Sequence, residues 1–155
     1  MGQSTNAQLC YGIAFDEDTE FPWHAEKFNR DIENWWRELL GYKPSSELYG
    51  DDGDYLDGIE PSGEQIKAYY AERDQFDRDH PALPVEVVSH CSCEYPMYIL
   101  AVPGTLKTAY RGDPRIVTPA NLFVLPDAIG ALVAFCNAHG IEVSPPEWYL
   151  SSMWC

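Results

Sequence analysis

The sequence lacks any long hydrophobic run. Its longest apolar stretches, such as residues 98–103 and 131–136, are far shorter than the roughly 20 residues that span a bilayer. The first eight residues also lack the basic and apolar regions of a signal peptide. We therefore expect no membrane partner and a cytoplasmic location.

Basic residues are few. The 155 residues include 10 Lys and Arg against 25 Asp and Glu, which gives a formal net charge of −15. Residues 16–79 alone hold 19 of the acidic and 7 of the basic residues. A field of this sign repels the phosphates of nucleic acid and attracts basic protein surfaces. We expect no direct binding of nucleic acid.

The glycine motifs that cradle phosphate are missing as well. Neither Gly-x-x-x-x-Gly-Lys-Ser/Thr nor Gly-x-Gly-x-x-Gly occurs. Only five cysteines are present, an odd number that does not suit a secreted disulfide scaffold. We therefore predict no cofactor, and free thiols in a reducing compartment.

Apolar and aromatic residues are plentiful, at 45% and 14% of the chain. A chain of this length and composition can bury one core, so we predict a single domain over residues 1–155. The patterns predict strands over residues 8–15, 85–90, 95–102 and 106–111, a strand or covering segment over 141–155, and helices over 30–40, 62–79 and 126–139. The fold class is α+β, with a mainly antiparallel sheet of four to six strands and about three helices packed on it.

Local signals mark the helix ends. Asn29 is placed to cap the first helix, Ser62 and Gln65 form a capping box for the second, and Pro126 suits the first position of the third. The first helix has apolar residues at the spacing of one face, so we expect this face to be buried. Its members are Ile32, Trp35, Trp36, Leu39 and Leu40.

Acidic residues gather in a loop and along the second helix. We predict that they form a partner-binding patch for the basic surface of a host protein. The patch comprises Asp51, Asp52, Asp54, Asp57, Glu72, Asp74, Asp77 and Asp79. The loop does not match a calcium-binding EF-hand, because the ligand register fails at Leu56 and Asp57.

The densest group of reactive side chains is His90–Glu94, which includes Cys91 and Cys93. Cys136 and His139 lie one helical turn apart and complete a possible tetrahedral zinc set with the two other cysteines. A cysteine nucleophile, such as Cys91 with His139 as base, is a second possibility. The alternative to both is a strand end with buried cysteines, which requires no metal and no catalytic residue.

Four stretches together resemble a family of small acidic proteins encoded by bacteriophages. They are residues 89–102 (SHCSCEYPMYILAV), 109–112 (AYRG), 11–15 (YGIAF) and 148–154 (WYLSSMW). The resemblance covers most of the chain. It implies an accessory protein that binds and blocks a host protein, and acidic proteins of this kind sometimes imitate the phosphate charge of DNA. No activity is assigned to the family, so the resemblance implies no catalytic residue.

Three functions follow from these observations. The first is an acidic accessory protein that inhibits a nucleic-acid-binding defence enzyme of the host, in the manner of anti-CRISPR or anti-restriction proteins. The second is a small zinc- or thiol-dependent enzyme or ligand-binding domain that uses the His90–Glu94 cluster. The third is a virion or assembly component, which would associate with itself.

Overall fold

The structure, a computed structural model, describes residues 5–28, 30–44, 48 and 60–154. The chain divides into two compact units. One, which we call the sheet unit, contains Met1–Thr19 and Pro84–Cys155; the other, the helical unit, contains Glu20–Leu83. That the whole chain forms a single domain stays a prediction.

Within its described residues, the sheet unit contains five strands and one α-helix. The strands are β1 (Thr5–Ala14), β2 (Glu86–Ser92), β3 (Pro96–Ala101), β4 (Lys107–Ala109) and β5 (Glu147–Trp154), and the helix, α3, is Pro126–Ala138. The helical unit contains α1 (Ile32–Leu39) and α2 (Gly63–Asp79). The predicted α+β class, with three helices and four to six strands, is confirmed, and the tail forms a strand.

The strands form one mixed sheet in the order β3-β2-β5-β1-β4. All pairs are antiparallel except β2 with β5, so the sheet is not purely antiparallel. β1 also pairs with β3 through its last residues, and this pairing links the two ends of the series β1-β5-β2-β3. β1 therefore holds the sheet together, because it pairs with three of the other four strands.

The pairing of β1 with β3 requires a glycine at position 12. Gly12 lies opposite Ala101, and a Cβ added to it would overlap the carbonyl oxygen of Leu100 and lie 2.7 Å from the Cα of Ala101. Both of those atoms belong to the backbone, so they cannot turn aside as a flexible side chain would. The two strands can approach this closely only because Gly12 has no side chain.

The inward-facing side chains of the strands change in character along the sheet. Near one end they form an apolar core of Cys10, Val88, Ile99 and Ala101, against which Tyr149 packs. Toward the other end β1 continues with Asn6 and Gln8, and Gln8 lies opposite Ser151 of β5. The apolar core therefore occupies one end of the sheet, and polar side chains lie toward the other end.

The boundaries of α1 differ from the prediction. Its N-cap is Asp31, whose carboxylate accepts hydrogen bonds from the backbone N–H groups of Glu33 and Asn34, 2.8 Å and 3.2 Å away. The predicted cap, Asn29, lies outside the described residues. Asp31 satisfies two N–H groups that the first turn would otherwise leave without partners.

The buried face of α1 was only partly predicted. Ile32 and Trp35 are buried and Trp36 is half-buried, as the spacing indicates. Leu39, in contrast, is 54% exposed, and the buried residue in the same part of the helix is Arg37. Spacing of apolar residues could not show this, because Arg37 is buried through its ionic partners and not through hydrophobicity.

The predicted capping box of α2 is confirmed. The side chain of Ser62 accepts from the backbone N–H of Gln65, and the side chain of Gln65 accepts from the backbone N–H of Ser62. None of the seventeen residues of α2, all of them described, is buried. Ile66, Tyr69 and Phe76 are half-buried on its inner side. α2 therefore presents most of its circumference to solvent.

One segment of the sheet unit, Pro119–Ala138, is long and apolar enough to cross a membrane by length and composition. It is not one continuous helix, because a 3-10 turn at Pro119–Leu122 is separated from α3. The thirteen residues of α3 span only about 20 Å, against the roughly 30 Å of a bilayer core. Leu132, Phe135 and Cys136 of α3 are buried within the protein.

The close approach at Gly12 yields a stability prediction. Gly12→Ala should lower the free energy of unfolding by about 3 kcal/mol or more, because the added methyl group forces two strand backbones apart. Gly130→Ala is the matched control in the same unit: the added Cβ meets no atom within 4 Å, and alanine in a helix should stabilise by about 1 kcal/mol. Urea unfolding measures both. Equal stabilities for the two variants would contradict the close approach.

Candidate functional site

The main polar feature of the helical unit is the buried side chain of Arg37, which is 7% exposed. Its Nε and Nη2 atoms donate to the two carboxylate oxygens of Asp77, each over 2.8 Å. Nη2 also donates to Glu33 over 3.0 Å, and Nη1 donates to Asn34 over 3.3 Å. The guanidinium therefore joins α1 to α2 through a bidentate interaction, in which two parallel hydrogen bonds link it to the carboxylate of Asp77.

The charges of this group stabilise one another. Burial lowers the pKa of Arg37, but its hydrogen bonds to Asp77 and Glu33 outweigh burial and raise the pKa above the usual value. The hydrogen bond from Arg37 holds the pKa of the Asp77 carboxyl below its usual value. Arg37 and Asp77 are therefore both ionised at neutral pH.

A cavity of about 210 Å³ lies beside this ionic group. Its apolar wall includes Trp36, and its other walls include the carboxylates of Glu33 and Asp77. The remaining lining residues are Arg37, Leu40, His80, Pro81, Ala82 and Leu83. The side chains of Glu33 and Asp77 are 60% and 41% exposed, so each can accept further hydrogen bonds from outside the protein.

Such a cavity suits a cation more than an anion. The positive charge of Arg37 is buried and used by its own carboxylates, whereas the carboxylates reach solvent. An aromatic wall next to carboxylates favours a lysine or arginine side chain, through its alkyl part and its charge.

The predicted acidic patch is described in part. Asp51, Asp52, Asp54 and Asp57 lie outside the described residues. Asp74 and Asp79 are exposed on α2, and Glu72 is half-buried. These carboxylates lie toward the C-terminal end of the helix, where the helix dipole adds further negative potential.

Asp77 is the member of the predicted patch that contacts α1. Both of its carboxylate oxygens accept hydrogen bonds from Arg37 of that helix. The sequence shows that Asp77 is acidic and helical, but not that an arginine 40 residues away points at it. Its carboxylate lines the cavity and is also partly exposed.

The residues of the proposed zinc set are not brought together. Cys93 is disulfide-bonded, which departs from the expectation of free thiols, while Cys10, Cys91 and Cys136 are free. Cys136 is fully buried in α3. Within the described residues, no three His, Cys, Asp or Glu side chains are grouped as metal ligands would be.

His90 and Cys91 lie near the end of β2, and a nucleophilic Cys91 with His139 as its base stays a prediction. Cys91 has a φ of 75°, which is uncommon for a residue other than glycine, although it still pairs with Pro96 of β3 and Met153 of β5. Burial lowers the pKa of His90, and among the described residues its Nε2 atom has no hydrogen-bond partner. The free thiols at Cys10 and Cys136 are poor nucleophiles, because burial raises the pKa of Cys10 to about 11 and raises that of Cys136.

A surface that the sequence analysis missed lies on the sheet unit, around β4. We call it the basic–apolar surface, and it consists of Lys107, Tyr110, Arg111, Arg115, Ile116, Val117 and Leu150. Two adjoining depressions occur there, of about 170 and 370 Å³, which share Ala7 and Ala109. Ile116 is 85% exposed and Leu150 is 78% exposed. The available signal was three basic residues within nine positions, followed by an uncharged stretch over 116–126.

The ionic group at Arg37 predicts a pH-dependent loss of stability. Asp77→Asn should cost about 2 kcal/mol at neutral pH, since hydrogen bonds between charged groups are lost. Because the pKa of Asp77 is lowered on folding, its contribution is complete above about pH 4 and is lost as the pH falls further. The difference in urea midpoint between wild type and variant should therefore shrink in acid. Asp74→Asn, an exposed position on the same helix, should have little effect at any pH.

The cysteines should differ in reactivity. Iodoacetamide at about pH 8 should modify Cys91, which is half-buried, well before Cys10 and Cys136, whose raised pKa values keep them protonated. Peptide mass spectrometry after short exposure measures the order, and the same reaction in urea shows that all three thiols are intrinsically reactive. Modification of Cys10 or Cys136 at the rate of Cys91 would contradict the burial of these side chains.

Comparison with protein-family models, with curated proteins and with solved structures shows no match to this chain.

Proposed function

We propose that this protein is a binding protein whose helical unit engages the basic surface of a partner protein. The observation that carries the proposal is that one unit contains both the cavity beside Arg37 and the acidic C-terminal part of α2. Glu20–Leu83 holds sixteen acidic and seven basic residues, a net charge of −9. Long-range attraction would then steer the partner, and the cavity would take one of its lysine or arginine side chains.

The partner that fits best is a protein that itself handles nucleic acid, because such proteins carry large basic surfaces. The resemblance to acidic bacteriophage proteins favours a host defence enzyme as the target and the host cytoplasm as the location. In the proposed complex, the acidic helical unit occupies the surface of the enzyme that nucleic acid would otherwise occupy. Inhibition then follows from competition for that surface and requires no catalytic residue.

Paired charge removal tests the proposal. The protein is immobilised, exposed to a bacterial lysate, and the retained proteins are quantified by mass spectrometry. Asp74→Asn combined with Asp79→Asn should reduce the retained basic proteins about tenfold, since two lost ionic contacts of moderate strength correspond to about 1.4 kcal/mol. Both carboxylates are exposed, so the fold should be unaffected.

The matched control removes the same charge from the sheet unit. Asp127→Asn combined with Glu147→Gln alters two exposed carboxylates there and leaves the helical unit intact. The control should retain the same proteins as the wild type. If both double variants lose binding equally, only net charge matters and the helical unit is not the binding surface; if neither loses binding, the proposal is wrong.

A further inference from the structure

All basic residues of the sheet unit lie on one surface. Lys107, Arg111 and Arg115 are its only lysines and arginines in a chain of net charge −15. Asp113 is the single acidic residue between positions 107 and 126, so this stretch is locally positive. The charge of this surface is therefore opposite to that of the rest of the protein.

The same surface exposes large apolar side chains. Lys107 and Arg115 line the smaller depression together with Val117 and Leu150, and Tyr110 and Arg111 line the larger one. Arg115 donates to the carbonyl oxygen of Thr108 over 3.3 Å, which holds the side chain across β4. A patch of exposed apolar residues beside charged side chains is typical of a surface that binds another protein.

The helical unit has the complementary properties. Asp74 and Asp79 are exposed on α2, and among the described residues of this unit the large apolar side chains that are exposed are Leu39 and Tyr70. Each copy of the protein thus carries a basic–apolar surface on one unit and an acidic surface with exposed apolar residues on the other. At physiological ionic strength, screening over about 8 Å limits the repulsion between two acidic copies, whereas charges in direct contact still attract.

We infer that the basic–apolar surface of one copy binds the C-terminal part of α2 on a second copy. The two surfaces are different, so the contact is head-to-tail, and an open assembly has one unused basic–apolar surface at one end and one unused acidic surface at the other. The acidic helix is the one used in the proposed function, but self-association needs no host protein. A basic partner would then compete with self-association for the same helix.

Two variants that each disable one half of the contact provide the test. The first, Arg111→Glu with Arg115→Glu, removes the basic half; the second, Asp74→Lys with Asp79→Lys, removes the acidic half. Sedimentation velocity at about 100 μM, where a contact of micromolar Kd is populated, should show assemblies of the wild type and a monomer for each variant. An equimolar mixture of the two variants should assemble again, because each retains the half that the other lacks and the two reversed halves are also complementary in charge.

The results for the wild type, the variants and their mixture decide between this proposal and the alternatives. If the wild type is monomeric, if each variant assembles as the wild type does, or if the mixture stays monomeric, the proposal is wrong. Binding of the monomeric wild type to phosphatidylglycerol vesicles, but not to phosphatidylcholine vesicles, would instead identify an anionic membrane as the occupant and would also overturn it. The basic-half variant should retain host proteins from lysate normally, so failure of self-association and failure of the proposed function are distinguishable. Circular dichroism confirms that both variants are folded.

Discussion

The ionic group centred on Arg37 is the interaction on which the helical unit and its proposed function depend. A guanidinium that is 7% exposed joins α1 to α2, two helices that are far apart in the sequence. Burial of a charge is costly unless the charge is paired, and here Asp77, Glu33 and Asn34 satisfy it. The same contacts orient the two carboxylates that line the cavity beside Trp36. The same ionic group therefore joins the two helices and places the negative charge that lines the cavity.

The sheet unit depends on β1 in a comparable way. The strand pairs with β3, β4 and β5, and its contact with β3 exists because residue 12 is glycine. The short β4 strand that follows β3 brings Lys107, and then Arg111 and Arg115, to one surface. A chain with a large negative charge thus presents one positive surface, to which we assign the proposed self-association, while the acidic helical unit carries the proposed partner binding.

Much of the fold could be predicted from local patterns. The capping box at Ser62 and Gln65, the first-turn proline at Pro126 and the strand pattern of the apolar segments depend on neighbouring residues, and the structure confirms them. The burial of Arg37, the exposure of Leu39 and the parallel pairing of β2 with β5 depend on residues distant in the sequence. The site was predictable only as an excess of acidic charge, since neither the partner of Asp77 nor the basic–apolar surface follows from spacing within one element.

The central claim is that binding is electrostatic and uses the acidic helical unit. The most direct measurement is retention of lysate proteins by the wild-type protein as salt is raised from about 0.01 M to about 1 M, over which the Debye length falls from about 30 Å to about 3 Å. The account predicts that basic, nucleic-acid-binding proteins are retained at low salt and released steeply as the salt rises. Retention that is independent of salt, or retention of acidic and basic proteins alike, would contradict it.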